Sequence, residues 1–301
     1  MEPVLLARIQ FYLTAGFHFV FIPINIGLSW YIVWFMLKYL RTKDIYYKNV
    51  SRFWIKLFGV TVAIGVPTGI ILEFQFGTNW AEFARFTGAI FGIVLAIEVL
   101  FSFFLESVFL YVLLQGWNTK RITDKILFLS SIIMAIGATL SAFFILAANS
   151  WMHTPAGYTI VNGRVEVVDF LAATFNPSTV PRFLHTFNAC LITASFFIIG
   201  ISSWYLLKGK HIRFATESIK TALTVGLVST IAQPLLGHLQ AIIIAKNEPA
   251  TLAAQEGLFN TQSGAPLTVI GIVTNKGVVF KIGIPHLLSL MVNFNPNSVV
   301  P

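Results

Sequence analysis

GAIFGIVLAIEVLFSFFLESVFLYVLLQ occupies residues 88–115, and its only charged side chains are Glu98 and Glu106. A helix rises about 1.5 Å per residue, and the hydrocarbon core of a bilayer is about 30 Å thick, so roughly 20 apolar residues cross it. The stretch is long enough to span. It lacks the strict alternation of a membrane barrel strand. Five more stretches qualify, near residues 9–37, 53–72, 125–149, 182–207 and 219–245. The predicted fold class is all-α: a polytopic transmembrane helix bundle of about six spans.

Composition agrees. Of 301 residues, 56% are apolar and 11% charged, against about 25% charged in ordinary soluble domains. Mean hydropathy is +0.78. Such a chain would expose large apolar patches in water, which excludes a soluble enzyme, a disordered chain and a nucleic-acid module. The expected partner is the lipid of a cell (inner, cytoplasmic) membrane, with no nucleic acid. The N-terminus has no basic n-region and no small-residue cleavage site, so the first span is read as retained. A single cysteine, Cys190, precludes an internal disulfide framework and reads as a small packing residue.

Charge sets the orientation. The stretches 38–56, 116–125 and 208–220 carry 13 basic and 3 acidic residues, whereas the opposite side carries 7 of each. The positive-inside rule then puts the N-terminus outside. Residues 1–245 form the six-span bundle, and 246–301 an external segment with no seventh span. Gly65-Val-Pro-Thr-Gly69 and Gly88-Ala-Ile-Phe-Gly92 are small-xxx-small patterns that allow close helix packing. Pro23, Pro67 and Pro234 each remove a helix hydrogen bond inside a span. No internal repeat of the transporter kind is present.

Glu98 and Glu106 are the carboxylates left inside the bilayer. An ionised group there costs about 2.5–3.5 kcal/mol even on insertion scales. At about 1.5 Å per residue they lie about 15 and 27 Å below the outer edge. They fit a proton ladder from the inner side, extended by Ser107, Ser141 and Thr139; neutral groups hydrogen-bonded within the bundle remain the other reading. His18 and His185 are embedded in the outer half. Imidazole is a common haem-iron ligand, though a buried histidine also occurs as a plain hydrogen-bonding residue. His153, His238 and His286 read as outer residues and His211 as an inner one.

These residues resemble subunit I of the cytochrome bd-type quinol oxidases, in its N-terminal part. The matching stretches are Arg8-Ile-Gln-Phe…His18-Phe, Glu73-Phe-Gln-Phe-Gly-Thr-Asn-Trp80, Leu95-Ala-Ile-Glu98 and Phe103-Phe-Leu-Glu106-Ser107. Further on come Leu140-Ser-Ala…Ala148-Asn149 with Trp151-Met152, Phe183-Leu-His185-Thr and Gly200-Ile-Ser…Trp204-Tyr-Leu-Leu-Lys208-Gly209. They follow the family's order on the expected spans.

The resemblance implies a quinol:oxygen oxidoreductase of the respiratory chain. His18 matches the axial ligand of a high-spin haem, and His185 one ligand of the low-spin haem b that takes electrons from quinol. Glu98, Glu106, Ser107 and Ser141 match the family's haem-linked acids and proton-route hydroxyls. Glu256 matches an acid of the quinol-binding loop, which segment 246–301 resembles. The implied cofactors are low-spin and high-spin haem b, haem d or a variant, and quinol as electron donor. The implied partners are oxidase subunit II and a small single-span subunit.

Three departures stand out. The family's Gln-Pro-x-Lys reads Glu248-Pro-Ala-Thr251, and its Gly-Trp-Met-Gln reads Ser150-Trp-Met-His153. The chain stops at Pro301, before the spans that carry a methionine and a glutamate haem ligand. It is therefore expected to be a fragment, a piece of a split subunit or a reduced variant, with another chain supplying those ligands. Two alternatives remain: a related quinone electron-transfer protein that does not reduce oxygen, and a proton-coupled transporter.

Overall fold

The computed structural model describes residues 2–119, 121–274 and 277–300; Lys120 and Lys276, two of the charges counted above, lie outside the described residues, as does Pro301. The helices run α1 (Pro3–Thr42), α2 (Ile45–Asn79), α3 (Ala81–Gln115), α4 (Asp124–His153), the short α5 (Phe170–Thr174), α6 (Thr179–Leu207), α7 (Ile212–Asn247), α8 (Pro249–Glu256) and α9 (Leu287–Asn293). Among the described residues, six of these are long and apolar enough to cross a membrane: α1 to α4, α6 and α7. The expected six-span, helical architecture is what the chain forms.

The helices outrun the apolar windows because hydropathy marks only the lipid-immersed part. Polar ends continue the backbone ladder until a cap or turn stops it. α1 ends where Lys43 turns left-handed, and the Asp44 carboxylate accepts the Tyr46 backbone N–H to start α2. Thr123 caps α4 in the same way. Pro23, Pro67 and Pro234 all sit inside continuous helices.

Lipid tails are as apolar as leucine, so association depends on close packing and interhelical hydrogen bonds. Leu28, Ile32, Phe35, Trp54, Phe58 and Ile198 are among the fully buried side chains of one core cluster. α7 turns Leu227, Val228, Ile231 and Leu235 outward. Interhelical hydrogen bonds inside include Tyr31 Oη with Ser195 Oγ at 2.6 Å, and Thr61 Oγ1 donating to Asn25 Oδ1 at 2.5 Å. Gly27 lets α1 lie directly on the backbone of α6 at Cys190 and Ala194. Cys190 is buried there as the packing residue its size suggests.

Contacts at the helix ends sort the loops into two groups. At one end, Lys48 Nζ and Tyr39 Oη each donate to Asp124 at 2.6 Å, and Arg213 donates to Asp44 at 2.7 Å. This gathers the three basic stretches on one side. At the other end, Asn79 reaches Ala7 and Gln10, Arg182 reaches Asn149, and His153 reaches Glu248.

The Asp44 cap carries a pH prediction. The Tyr46 N–H and then Arg213 hold its carboxyl below the usual value. A depressed carboxyl contributes fully above the unfolded carboxylate pKa, about 3.9, and that contribution disappears as pH falls through the lowered value. Exchange of the Tyr46 amide should accelerate in that acidic window, beyond what the intrinsic exchange rate gives. Asp44→Asn, an equally good cap, should remove this extra pH dependence.

The non-helical pieces lie on the second side. Strands β1 (Tyr158–Val161) and β2 (Arg164–Val167) form a hairpin turned by Asn162-Gly163, both at positive φ. Thr154, Asn176 and Ser178 join the end of α4 to the start of α6 through a buried hydrogen-bonded knot. Beyond α7 come α8, β3 (Gln262–Ser263), β4 (Leu267–Thr274), β5 (Gly277–Ile284), α9 and β6 (Val299–Val300). β4 pairs with β5, and β3 with β6, all antiparallel. Leu252, Leu258, Ala265, Leu288 and Val300 give this segment a small core of its own, seated on Ile244 of α7.

Candidate functional site

His18 is fixed by the turn of α2 that faces it. Its Nδ1 lies 3.1 Å from the Gly65 carbonyl oxygen and 2.9 Å from Thr68 Oγ1. A carbonyl only accepts, so Nδ1 carries the proton and donates it. Nε2 then keeps its lone pair, the arrangement that suits a neutral imidazole ligand. The Thr68 hydroxyl also donates to the Gly65 carbonyl at 2.6 Å. Gly69 leaves room for the ring, since a Cβ there would stand 3.0 Å from His18 Cε1. The small-xxx-small pattern on α2 thus seats a histidine as well as packing a helix.

His185 lies on α6 opposite Gly237 of α7, where a Cβ would come within 3.3 Å of its Cε1. The Gln233 amide nitrogen is 3.2–3.3 Å from both ring nitrogens and donates to the His185 carbonyl. Asn188 holds that glutamine, donating to its Oε1 at 2.5 Å and to the Ser229 carbonyl at 2.8 Å.

Haem is the cofactor that the resemblance implies, and the donor set suits it. A porphyrin supplies four nitrogens and needs one or two protein ligands. Among the described residues no group of three His, Cys, Asp or Glu side chains converges. What is present are separate, half-buried imidazoles, and the His18 ring is oriented with Nε2 free.

The acids sit on α3. Ser141 of α4 donates to Glu98 Oε1 at 2.7 Å, joining two residues named from sequence. Glu98 Oε2 and Ser102 Oγ are buried without a hydrogen-bond partner among the described residues. Residues 98–103 are π-helical. In an unbroken α-helix, residues eight apart point about 80° apart; a π-turn absorbs one extra residue and brings them to about 20°. Glu98 and Glu106 therefore share one face and interact electrostatically. Gly137 of α4 packs against this turn, and a Cβ there would stand 3.0 Å from both the Ser102 carbonyl oxygen and the Glu106 nitrogen.

The remaining expectations fall out differently. Ser107 follows Glu106 on α3 and is half-buried. Thr139 is engaged elsewhere: its hydroxyl donates to the Ala135 carbonyl and accepts the Trp30 indole N–H. Glu73, counted above as an outer charge, lies within α2 and interacts electrostatically with Glu98. Its position near the end of an apolar run concealed that. Thr68 and Gln233 were also missed, although Thr68 lies inside the Gly65–Gly69 motif. Glu256 ends α8, far along the chain from both histidines. Burial pushes its carboxyl above the ordinary value, against the Thr268 backbone hydrogen bond and the Lys281 charge.

Residues 6–301 match the family described as cytochrome bd terminal oxidase subunit I. The chain belongs to that family. Subunit I relatives include cytochrome bd ubiquinol oxidase subunit 1 of Bacillus subtilis (strain 168), 41% identical over 97% of this chain and 62% of its own length. Cytochrome bd-II ubiquinol oxidase subunit 1 of Escherichia coli (strain K12) is 38% identical over 98% of this chain and 58% of its own. The solved bd oxidase from Geobacillus thermodenitrificans superposes with a TM-score of 0.91 at 31% identity, covering 100% of this chain and 69% of that one. The chain thus spans about three-fifths of the length of the first two subunit I relatives.

Proposed function

We propose that this chain is the haem- and quinol-binding part of a quinol:oxygen oxidoreductase in the cytoplasmic membrane, with its N-terminus outside. The observation that carries the reading is the His18 seat, with Nδ1 anchored on Gly65 and Thr68 and Nε2 left as a donor, in a bd subunit I framework. His18 would hold a high-spin haem and His185 a low-spin haem b, with haem d or a variant completing the oxygen site. Bound haem supplies the one-electron relay from quinol and the iron at which oxygen becomes water.

The chain's own residues do the rest. Glu256 and the segment from 246 to 301 receive quinol at the outer face, and burial holds the Glu256 carboxyl above its ordinary value, the direction that favours accepting a proton. Glu106 and Glu98, aligned by the π-turn, pass protons from the inner side, with Ser107 and Ser141 as hydroxyl partners. Protons released outside and consumed from inside build a gradient without a pump. Oxidase subunit II, a small single-span subunit and a chain bearing the methionine and glutamate haem ligands complete the complex.

The test is a reduced-minus-oxidised spectrum and quinol-driven oxygen uptake of the assembled complex. No haem signal with all chains present would end the reading. Haem reduction by quinol without oxygen uptake would leave only electron transfer. Ser141→Ala should slow oxygen uptake about tenfold while leaving haem reduction by quinol intact, since general acid–base steps are worth about 10²–10⁴-fold and Glu98 itself remains.

A further inference from the structure

Glu248 is the joint between α7 and α8. Its side chain is only 7% exposed, yet it carries a carboxyl group and lies where the chain leaves the last span. Oε2 accepts from His153 Nδ1, the last residue of α4, at 2.6 Å. Oε1 has no hydrogen bond among the described residues and faces Arg182 Nη2 of α6 at 4.0 Å. Arg182, itself 16% exposed, is held by Asn149 Oδ1 of α4 at 2.5 Å. A carboxylate so buried is costly unless donors face it, and here an imidazole nitrogen and a guanidinium come from two neighbouring helices. The N-terminal turn of α8 follows at once. Pro249 starts the helix, the Leu252 N–H closes on the Glu248 carbonyl, and Leu252 is buried in the external core. α8 is therefore a short rigid lever, with Glu248 at its base and Glu256 at its tip about 12 Å away at 1.5 Å per residue.

We propose that His153, Glu248 and Arg182 form a clamp across the outer ends of α4, α6 and α7 that positions α8, and with it Glu256, for quinol binding. The quinol part rests on the function proposed above. His153 and Glu248 are also the two positions where the sequence departs from the glutamines usual in the family. The structure brings those two departures into contact, with His153 Nδ1 2.6 Å from Glu248 Oε2. These are positioning residues. Their removal should raise KM for quinol and leave the maximal rate little changed.

The experiment uses the assembled complex, with menadiol as the soluble quinol probe and hydrogen exchange of the residue 252–256 amides as a second readout. Glu248→Ala and His153→Ala should each raise KM about tenfold, within the roughly 100-fold that a misplacement of 1 Å can cost. Both should speed α8 exchange and leave the haem spectrum unchanged. The double variant His153→Gln with Glu248→Gln should return KM to within about threefold of the parent, because two amides restore the hydrogen bond. If Glu248→Ala does not assemble, His153→Ala carries the test, since its ring is 36% exposed. Unchanged KM and unchanged exchange in His153→Ala would overturn the clamp. A parent complex that oxidises no quinol would overturn the proposed function instead, and faster α8 exchange in the variants would still support the clamp.

Discussion

His18→Ala should remove one haem signal from the spectrum of the assembled complex and lower quinol-driven oxygen uptake more than about 100-fold, beyond the 10–100-fold expected for losing an outer-shell partner. The reason is geometric. The ring is held on one side by the Gly65 carbonyl and the Thr68 hydroxyl, which fixes its tautomer and its plane. Alanine removes the imidazole Nε2 that is proposed to bind iron. Thr68→Val removes one of the two partners and keeps the carbonyl, so its expected cost is about tenfold in haem retention. Haem content of the two purified variants, measured per assembled complex, separates ligand from support. Equal haem content in His18→Ala and the parent would refute the assignment.

Gly27→Val should destabilise the bundle itself. A Cβ at Gly27 would lie on the Cys190 carbonyl oxygen and 2.5 Å from Ala194 Cβ. These are backbone and near-backbone atoms, so no rotamer change relieves the clash. Overpacking costs about 1–3 kcal/mol, which corresponds to a fall of about 2–5 °C in melting temperature for a chain of this size. The damage would not stay local. Gly27 is nine residues from His18 on α1, and Cys190 five from His185 on α6. Prising the two helices apart displaces both histidines, so haem content should fall along with thermal stability. Gly200→Ala, where a Cβ meets nothing within 4 Å, should change neither.

Much of this molecule is readable one segment at a time. Where lipid replaces water, every backbone polar group must be satisfied within its own segment. Apolar length therefore reports spans directly, and the basic stretches mark one side. The Asn162-Gly163 hairpin was also readable, since Asn-Gly suits a two-residue turn with both residues at positive φ; the dominant apolar pattern hid it. The two carboxylates of α3 were visible as residues but not as a pair. A fixed 100° per residue leaves them about 80° apart, and the π-turn at 98–103 brings them to about 20°.

Sequence alone determined the six crossings, their charge asymmetry and the embedded His18, His185, Glu98 and Glu106, because each follows from local composition and the thickness of a bilayer. Tertiary structure decided which of those groups meet: His18 with Gly65 and Thr68, Ser141 with Glu98, and His153 with Glu248 across 95 residues of chain. Such contacts depend on how whole helices rotate and slide against one another. That is set by small residues such as Gly27, Gly69 and Gly137 at the crossing points, and no periodicity within a single segment encodes it.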